Sequence, residues 1–203
     1  QQVPIKALCC WDTVASLGIP DLIHSLKLDG KFNPRYRFFD DKVNPTIEKA
    51  FHAVAIDEIR RVFDVTRIEP SKENQVTQVW FPGGHGCVGG GCKEESELSD
   101  AALLWMMEQV EQLGLALDRT SVEYRIQPDY RSPFDNTPKP PFDIGCPNIR
   151  EVTGTFDDLH ESVKQRWQDP KIAPPYRPKN LMKFQKELDS YNSKINKNCP
   201  SSK

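Results

Sequence analysis

No stretch of the 203-residue chain approaches the roughly 20 consecutive apolar residues that a membrane-spanning helix needs. No block of basic residues is present either, and the net charge is −2 with both signs mixed. These two absences argue against a nucleic-acid partner and against a stable polybasic or amphipathic membrane anchor. The start, Gln1-Gln2-Val3-Pro4, lacks the charged segment and long apolar core of a signal peptide, so a cytoplasmic location is expected. Cysteine is sparse, six in the whole chain, too few for a disulfide scaffold. Cys9 and Cys10 lie inside an apolar run, where buried thiols in a reducing compartment are the expected state. No internal repeat and no low-complexity domain is found. The length suits one domain with a sizeable core.

What the chain does have is one conspicuous stretch of glycine, from Gln78-Val79-Trp80-Phe81 through Pro82-Gly83-Gly84-His85 to Gly91. Three β-favouring residues run into a Pro-Gly break, and a histidine follows on a tight loop. That is a common way to present a catalytic imidazole. A glycine-rich turn that merely contains a His fits the spacing equally well. Gly84-His85-Gly86-Cys87-Val88-Gly89 also fits the G-x-G-x-x-G dinucleotide fingerprint, but Pro82 interrupts and the next strong helix signal is near Ser99. The Walker pattern lacks its Lys-Ser/Thr ending. His85, Cys87 and Cys92 form a minor metal reading without the second ligand pair usual for zinc; no metal and no cofactor is expected.

Val3 to Cys10 reads as a buried strand because parallel strands lack strict alternation. Asp12 follows at its C-terminal end, where α/β sheets place ligands and catalytic groups. Taken alone, Asp12 reads better as a turn cap. A short helix is expected after Asp21 to Leu28, with His24 structural. Asn44-Pro45 predicts a helix start, with Ile47, Phe51, Val54 and Val62 on its apolar face and His52 off it. Glu69 to Thr77 reads as turn. Ser99 is expected to cap a helix from Asp100 to Leu113, with Leu103, Met106, Met107, Val110 and Leu113 as its stripe and Gly114 past its end. Ser121 to Ile126 reads as a strand. Ten prolines fall between Pro128 and Pro178, which forbids long regular structure there. One helix interrupts that region, with Phe156, Leu159, Val163 and Trp167 on one face and His160 off it. An amphipathic helix is expected from Asn180 to Ile195.

Several blocks in order carry a resemblance: Trp11-Asp12-Thr13-Val14, Phe51-His52-Ala53-Val54-Ala55-Ile56-Asp57-Glu58, Val79-Trp80-Phe81-Pro82-Gly83-Gly84-His85, Val88-Gly89-Gly90-Gly91, Leu98-Ser99-Asp100-Ala101-Ala102-Leu103-Leu104-Trp105-Met106, His160-Glu161-Ser162-Val163 and Tyr176-Arg177-Pro178-Lys179-Asn180-Leu181. From about residue 3 to 182 the chain resembles the α/β-hydrolase family of type VI secretion phospholipase effectors, which includes uncharacterised fungal members. The resemblance implies a serine hydrolase acting on ester bonds, with lipids or small esters as substrates. By motif, Asp12 matches the acid and His85 the base of a Ser–Asp–His triad, and Asp before His is the order this fold uses.

The departures shape the expectation. No Gly-x-Ser-x-Gly turn occurs, and only eleven residues precede Asp12. The chain therefore looks like the C-terminal half of an α/β-hydrolase fold, a few parallel strands flanked by helices with Pro-rich loops. Residues 1–182 would form that part-domain and 183–203 a C-terminal helix and frayed tail. The nucleophile would come from an upstream segment or another chain, and this chain alone is expected to be inactive. An open sheet edge should then make it poorly soluble or pair it with a partner. The family's His-Ser-Asp-Val-Gly-Gly-Gly-Tyr reads His85-Gly86-Cys87-Val88-Gly89-Gly90-Gly91-Cys92 here. The alternative readings are a non-catalytic binding or structural module and the His/Cys metal site.

Overall fold

The computed structural model describes residues 3–14, 43–60, 63–69, 75–91, 93, 96–120, 126–140 and 147–192. The expected helix to Leu28 with His24, the strand at Ser121, and the Cys92 of the metal reading lie outside the described residues. Three strands, β1 (Ile5–Trp11), β2 (Ile47–Ala55) and β3 (Gln75–Phe81), form a parallel sheet in the order β1-β2-β3. The helices are α1 (His85–Gly89), α2 (Ser96–Gln112), α3 (Glu161–Gln168) and α4 (Gln185–Ser190). This is a partial α/β architecture, but β1, read as a buried strand, is exposed at its start and only half-buried beyond, Cys9 and Cys10 included.

The helix predicted from Asn44 is the central strand instead. Ile47, Phe51 and Val54 do fall at helical intervals, but both faces of β2 are covered, so nearly every residue from Ala50 onward is apolar or buried. A run that is apolar on all sides has no period by which strand and helix can be told apart. Asn44 caps no helix: its Oδ1 accepts from the Thr46 N–H at 3.0 Å and the Thr46 hydroxyl at 2.9 Å, an Asx turn that feeds the strand. His52, off the predicted stripe, is a buried strand residue. Its Nε2 accepts from Thr13 N–H at 3.0 Å and its Nδ1 meets Gln78 Oε1 at 3.0 Å. Burial lowers its pKa, so it sits neutral as a structural tie. β3 begins at Gln75, inside the segment read as turn.

Among the described residues both sheet faces are covered by apolar clusters. On one, Phe51, Ala53, Ala55, Val79 and Phe81 pack against Val88 of α1 and Ala101, Ala102 and Met106 of α2. Trp105 meets Phe51 and Phe81 edge-on, at 6.2 and 5.8 Å between ring centroids. On the other, Val54, Ile56 and Trp80 pack against Leu159, Val163, Trp167, Leu181, Phe184 and Leu188. The Pro-rich half of the chain thus supplies the second layer. The chain crosses it through a 3-10 turn at Phe156–Asp158, α3, a second 3-10 segment at Lys179–Phe184 and α4. Thr155 N–H and hydroxyl both bond Asp158 Oδ2, at 2.7 and 3.0 Å, closing the first turn. His160 then caps α3, accepting from Ser162 N–H at 3.2 Å, and stacks on Phe81 at 4.3 Å. Burial pushes its pKa down to about 4. Among the described residues no helix is long and apolar enough to cross a membrane.

Helix α2 starts at Ser96, three residues before the predicted cap, and the Ser99 hydroxyl bonds Ser96 O at 2.9 Å. Gly114 follows its end with φ +92° as expected. Its buried face, however, is Leu98, Ala101, Ala102 and Met106, with Leu103 39% exposed. Small alanines let the helix lie close to the sheet, which turns the larger Leu103 outward. Leu159→Ala should therefore cost about 2–5 kcal/mol, whereas Leu103→Ala should stay within about 0.5 kcal/mol of wild type. Denaturant unfolding of the two variants separates these outcomes, and equal losses would restore the predicted stripe.

Candidate functional site

The C-terminal ends of the three strands converge on Asp12 and His85. Asp12 follows β1 directly, with φ +43°, a left-handed conformation for a non-glycine residue. Its own N–H donates to Ala53 O at 2.8 Å, which turns the side chain over the end of β2. There its Oδ1 accepts from Ala55 N–H at 2.9 Å. The residue is 0% exposed.

His85 follows β3 through Pro82-Gly83-Gly84 and opens α1 rather than hanging on a free loop. Gly83 has φ +99°, and a Cβ there would meet the Cys87 Cβ at 2.4 Å, so this turn requires glycine. The turn is pinned from below: Gly83 N–H donates to Asp57 Oδ2 at 2.7 Å and Asp57 N–H to Gly83 O at 3.0 Å. The His85 N–H donates to Glu58 Oε2 at 3.1 Å. With the backbone so held, His85 Nδ1 lies 2.7 Å from Asp12 Oδ2. The Phe63 ring packs against the imidazole at 5.1 Å between centroids, and the Arg60 guanidinium lies over the Phe63 ring, 4.1 Å from its centre.

Arg150 completes the cluster and was not singled out in the sequence. Its Nη1 donates to Asp12 Oδ1 at 2.6 Å and its Nη2 to Asp12 Oδ2 at 3.0 Å, a two-pronged pair in the interior. Burial alone would raise the Asp12 pKa. The bonds from His85 and Arg150, the Arg150 charge and the Ala55 N–H outweigh it and hold the carboxyl below its ordinary range. Asp12 is therefore a carboxylate at neutral pH, and the proton between it and His85 belongs to Nδ1. Glu58 behaves likewise: burial opposes its charge, and bonds from Arg60 and the His85 N–H win.

His85 lines a cavity of about 290 Å³ together with Glu58, Arg60, Asn136, Thr137 and Lys139. A second cavity of about 480 Å³ shares Glu58 and Asn136 with it and is walled by Ile56, Ile59, Phe134 and Ile172. Among the described residues no group of three or more His, Cys, Asp or Glu side chains converges as a metal site. His85 Nδ1 is instead engaged by Asp12, and Cys87 is packed under the Gly83 turn. His52 and His160 lie in the structural roles described above.

Asp57 is the other unusual carboxyl. Burial pushes its pKa up to about 6, against the opposing bonds from Gly83 N–H and the Tyr176 hydroxyl, the latter at 2.7 Å. Because the folded value exceeds the ordinary 3.8, the folded state binds the proton more tightly and stability falls as pH rises through this window. Relative to Asp57→Asn, wild type should lose about 2 kcal/mol between about pH 4 and pH 7. Paired urea titrations at the two pH values measure this, and a constant difference would contradict it.

Comparisons with curated proteins and with solved structures returned no match. Residues 1–109, just over half of the chain, match the family described as T6SS, Phospholipase effector Tle1-like, catalytic domain. That segment carries all three strands, Asp12 and His85, and the chain belongs to this family of phospholipase-like hydrolases.

Proposed function

We propose that this chain contributes the acid and the base of a serine-hydrolase site acting on lipid esters, with Asp12 as acid and His85 as base. The observation that carries the reading is the 2.7 Å contact of His85 Nδ1 with a buried carboxylate, on a ring that borders a cavity. With Nδ1 occupied as donor, Nε2 is left as the basic nitrogen. A serine hydroxyl placed there would lose its proton to Nε2 as its oxygen bonds the ester carbonyl carbon. The same proton would then pass to the leaving alkoxide as the C–O bond breaks, and water would repeat the sequence to release the acid. Asp12 holds the imidazole in the working tautomer throughout.

The serine would come from polypeptide upstream of, or separate from, this chain. The geometry of β1 supports this: among the described residues its outer edge pairs with no strand, while Leu8, Cys9 and Cys10 along it are only half-buried. A further parallel strand on that edge would end beside Asp12. Lipid as substrate is supported by the family and by the larger cavity, whose isoleucine and phenylalanine walls suit an acyl chain.

The test pairs a fluorophosphonate probe with an ester assay, on the chain alone and after addition of an upstream segment bearing Gly-x-Ser-x-Gly. Labelling and turnover are expected only in the second case, and His85→Ala should lower turnover there by about four orders of magnitude. Labelling of the chain alone that vanishes in His85→Ala would place the activated serine inside these residues. An inert, correctly folded assembly would favour a non-catalytic binding module.

A further inference from the structure

Arg150 stands outside the matched segment and far from Asp12 in sequence, yet it grips the Asp12 carboxylate and the backbone of Ala55 and Phe63. Its side chain is buried, with the residue 3% exposed. Nη1 donates to Asp12 Oδ1 and, at 2.8 Å, to Ala55 O. Nη2 donates to Asp12 Oδ2 at 3.0 Å and to Phe63 O. The guanidinium is thus fixed at both nitrogens by backbone before it meets the carboxylate. A planar fork held in this way sets the plane of the carboxylate it grips.

The consequence reaches His85 by two routes. Each Asp12 oxygen accepts two bonds, Oδ1 from Ala55 N–H and Arg150, Oδ2 from His85 and Arg150. Rotation of the carboxylate would break the bond to His85 together with those to the fork. Through Phe63 O, Arg150 also ties down the residue whose ring packs on the imidazole. Arg150 itself is seated by the Pro-rich half: Asn148 N–H donates to Ile59 O at 2.8 Å, and Asn180 Nδ2 bridges Arg150 O at 3.2 Å and Ile56 O at 2.9 Å.

We propose that Arg150 is a positioning residue that locks the Asp12 carboxylate in the orientation which keeps the proton on His85 Nδ1 and leaves Nε2 free to act. The inference rests on the Asp12–His85 pairing used above and deepens it. It also assigns the segment around Asn148–Arg150 a share in the chemistry, beyond covering the sheet. A role confined to stability would need only charge balance, which a lysine also supplies. The locking role needs the fork.

The test uses the full chain with ¹⁵N-labelled histidine and reads the tautomer from the ring nitrogen shifts and the Nδ1 proton from its low-field signal. Wild type should show an Nδ1–H tautomer and one low-field proton that disappears in both His85→Gln and Asp12→Asn. In Arg150→Met, folded by circular dichroism, the tautomers should mix and that proton should exchange with water about tenfold faster or more. Arg150→Lys should fall between the two. A wild-type tautomer and exchange rate retained in both Arg150 variants would overturn the proposal. Should the Met variant fail to fold, the Lys variant decides alone, an unchanged signal overturning the lock and a mixed tautomer supporting it. A wild-type protein without the Asp12-dependent proton would instead overturn the pairing itself, and the function built on it.

Discussion

A carboxylate with no exposed surface must replace every water it gives up, and Asp12 does so with four hydrogen bonds from three different parts of the chain. Ala55 N–H comes from the end of the central strand, the imidazole from the turn after β3, and the guanidinium from the Pro-rich half. Removal of any one would leave a buried charge underpaired, which is far costlier than the pair is stabilising. The left-handed backbone at Asp12 is sustained by the same bonds. The requirement that this group be satisfied therefore dictates how the strand ends and the covering layer come together.

The second constraint is the turn that delivers His85. Asp57 grips Gly83 by two hydrogen bonds, Glu58 grips the His85 N–H, and Tyr176 reaches Asp57 from the opposite layer. Asp57 keeps its proton to about pH 6 because desolvation exceeds what its donors return. Glu58, bonded by the Arg60 cation and the His85 N–H, ionises readily despite its burial. Two adjacent carboxyls in one sequence block thus do opposite things, one acting as a buried clip and the other as an anchor for Arg60 and the histidine backbone. Glu58 lines both the cavity at His85 and the larger cavity, which Asp57 and Tyr176 also line.

The lesson of β2 is a physical one about periodicity. Ile47, Phe51 and Val54 satisfy a helical stripe, and Asn44-Pro45 satisfies a helix start, yet the segment is the most buried strand in the sheet. A strand covered on both faces gives up the alternation that would reveal it. At α2 the ends were readable from Ser99 and Gly114 to within a few residues, but the buried face was not. Ala101 and Ala102 pack there because they are small, and hydrophobicity alone favoured Leu103. His52, read as lying off a helical stripe, is a buried strand residue that bonds Thr13 and Gln78 far away in sequence, whereas His160 caps α3 locally through Ser162.

By itself the sequence determined the α/β class, a strand running up to Asp12 and another ending at Phe81, and, through the family resemblance of its blocks, Asp12 and His85 as the groups to watch. These are local properties, written in short apolar runs, breakers and blocks of neighbouring residues. Only the tertiary structure decided that the two side chains meet at 2.7 Å, and that Arg150 lies across the carboxylate from the far end of the chain. A single arginine among prolines and loops carries no period and no motif. Its role is defined by a partner 138 residues away, and such a separation is visible only once the sheet and its covering layer have closed around the charge.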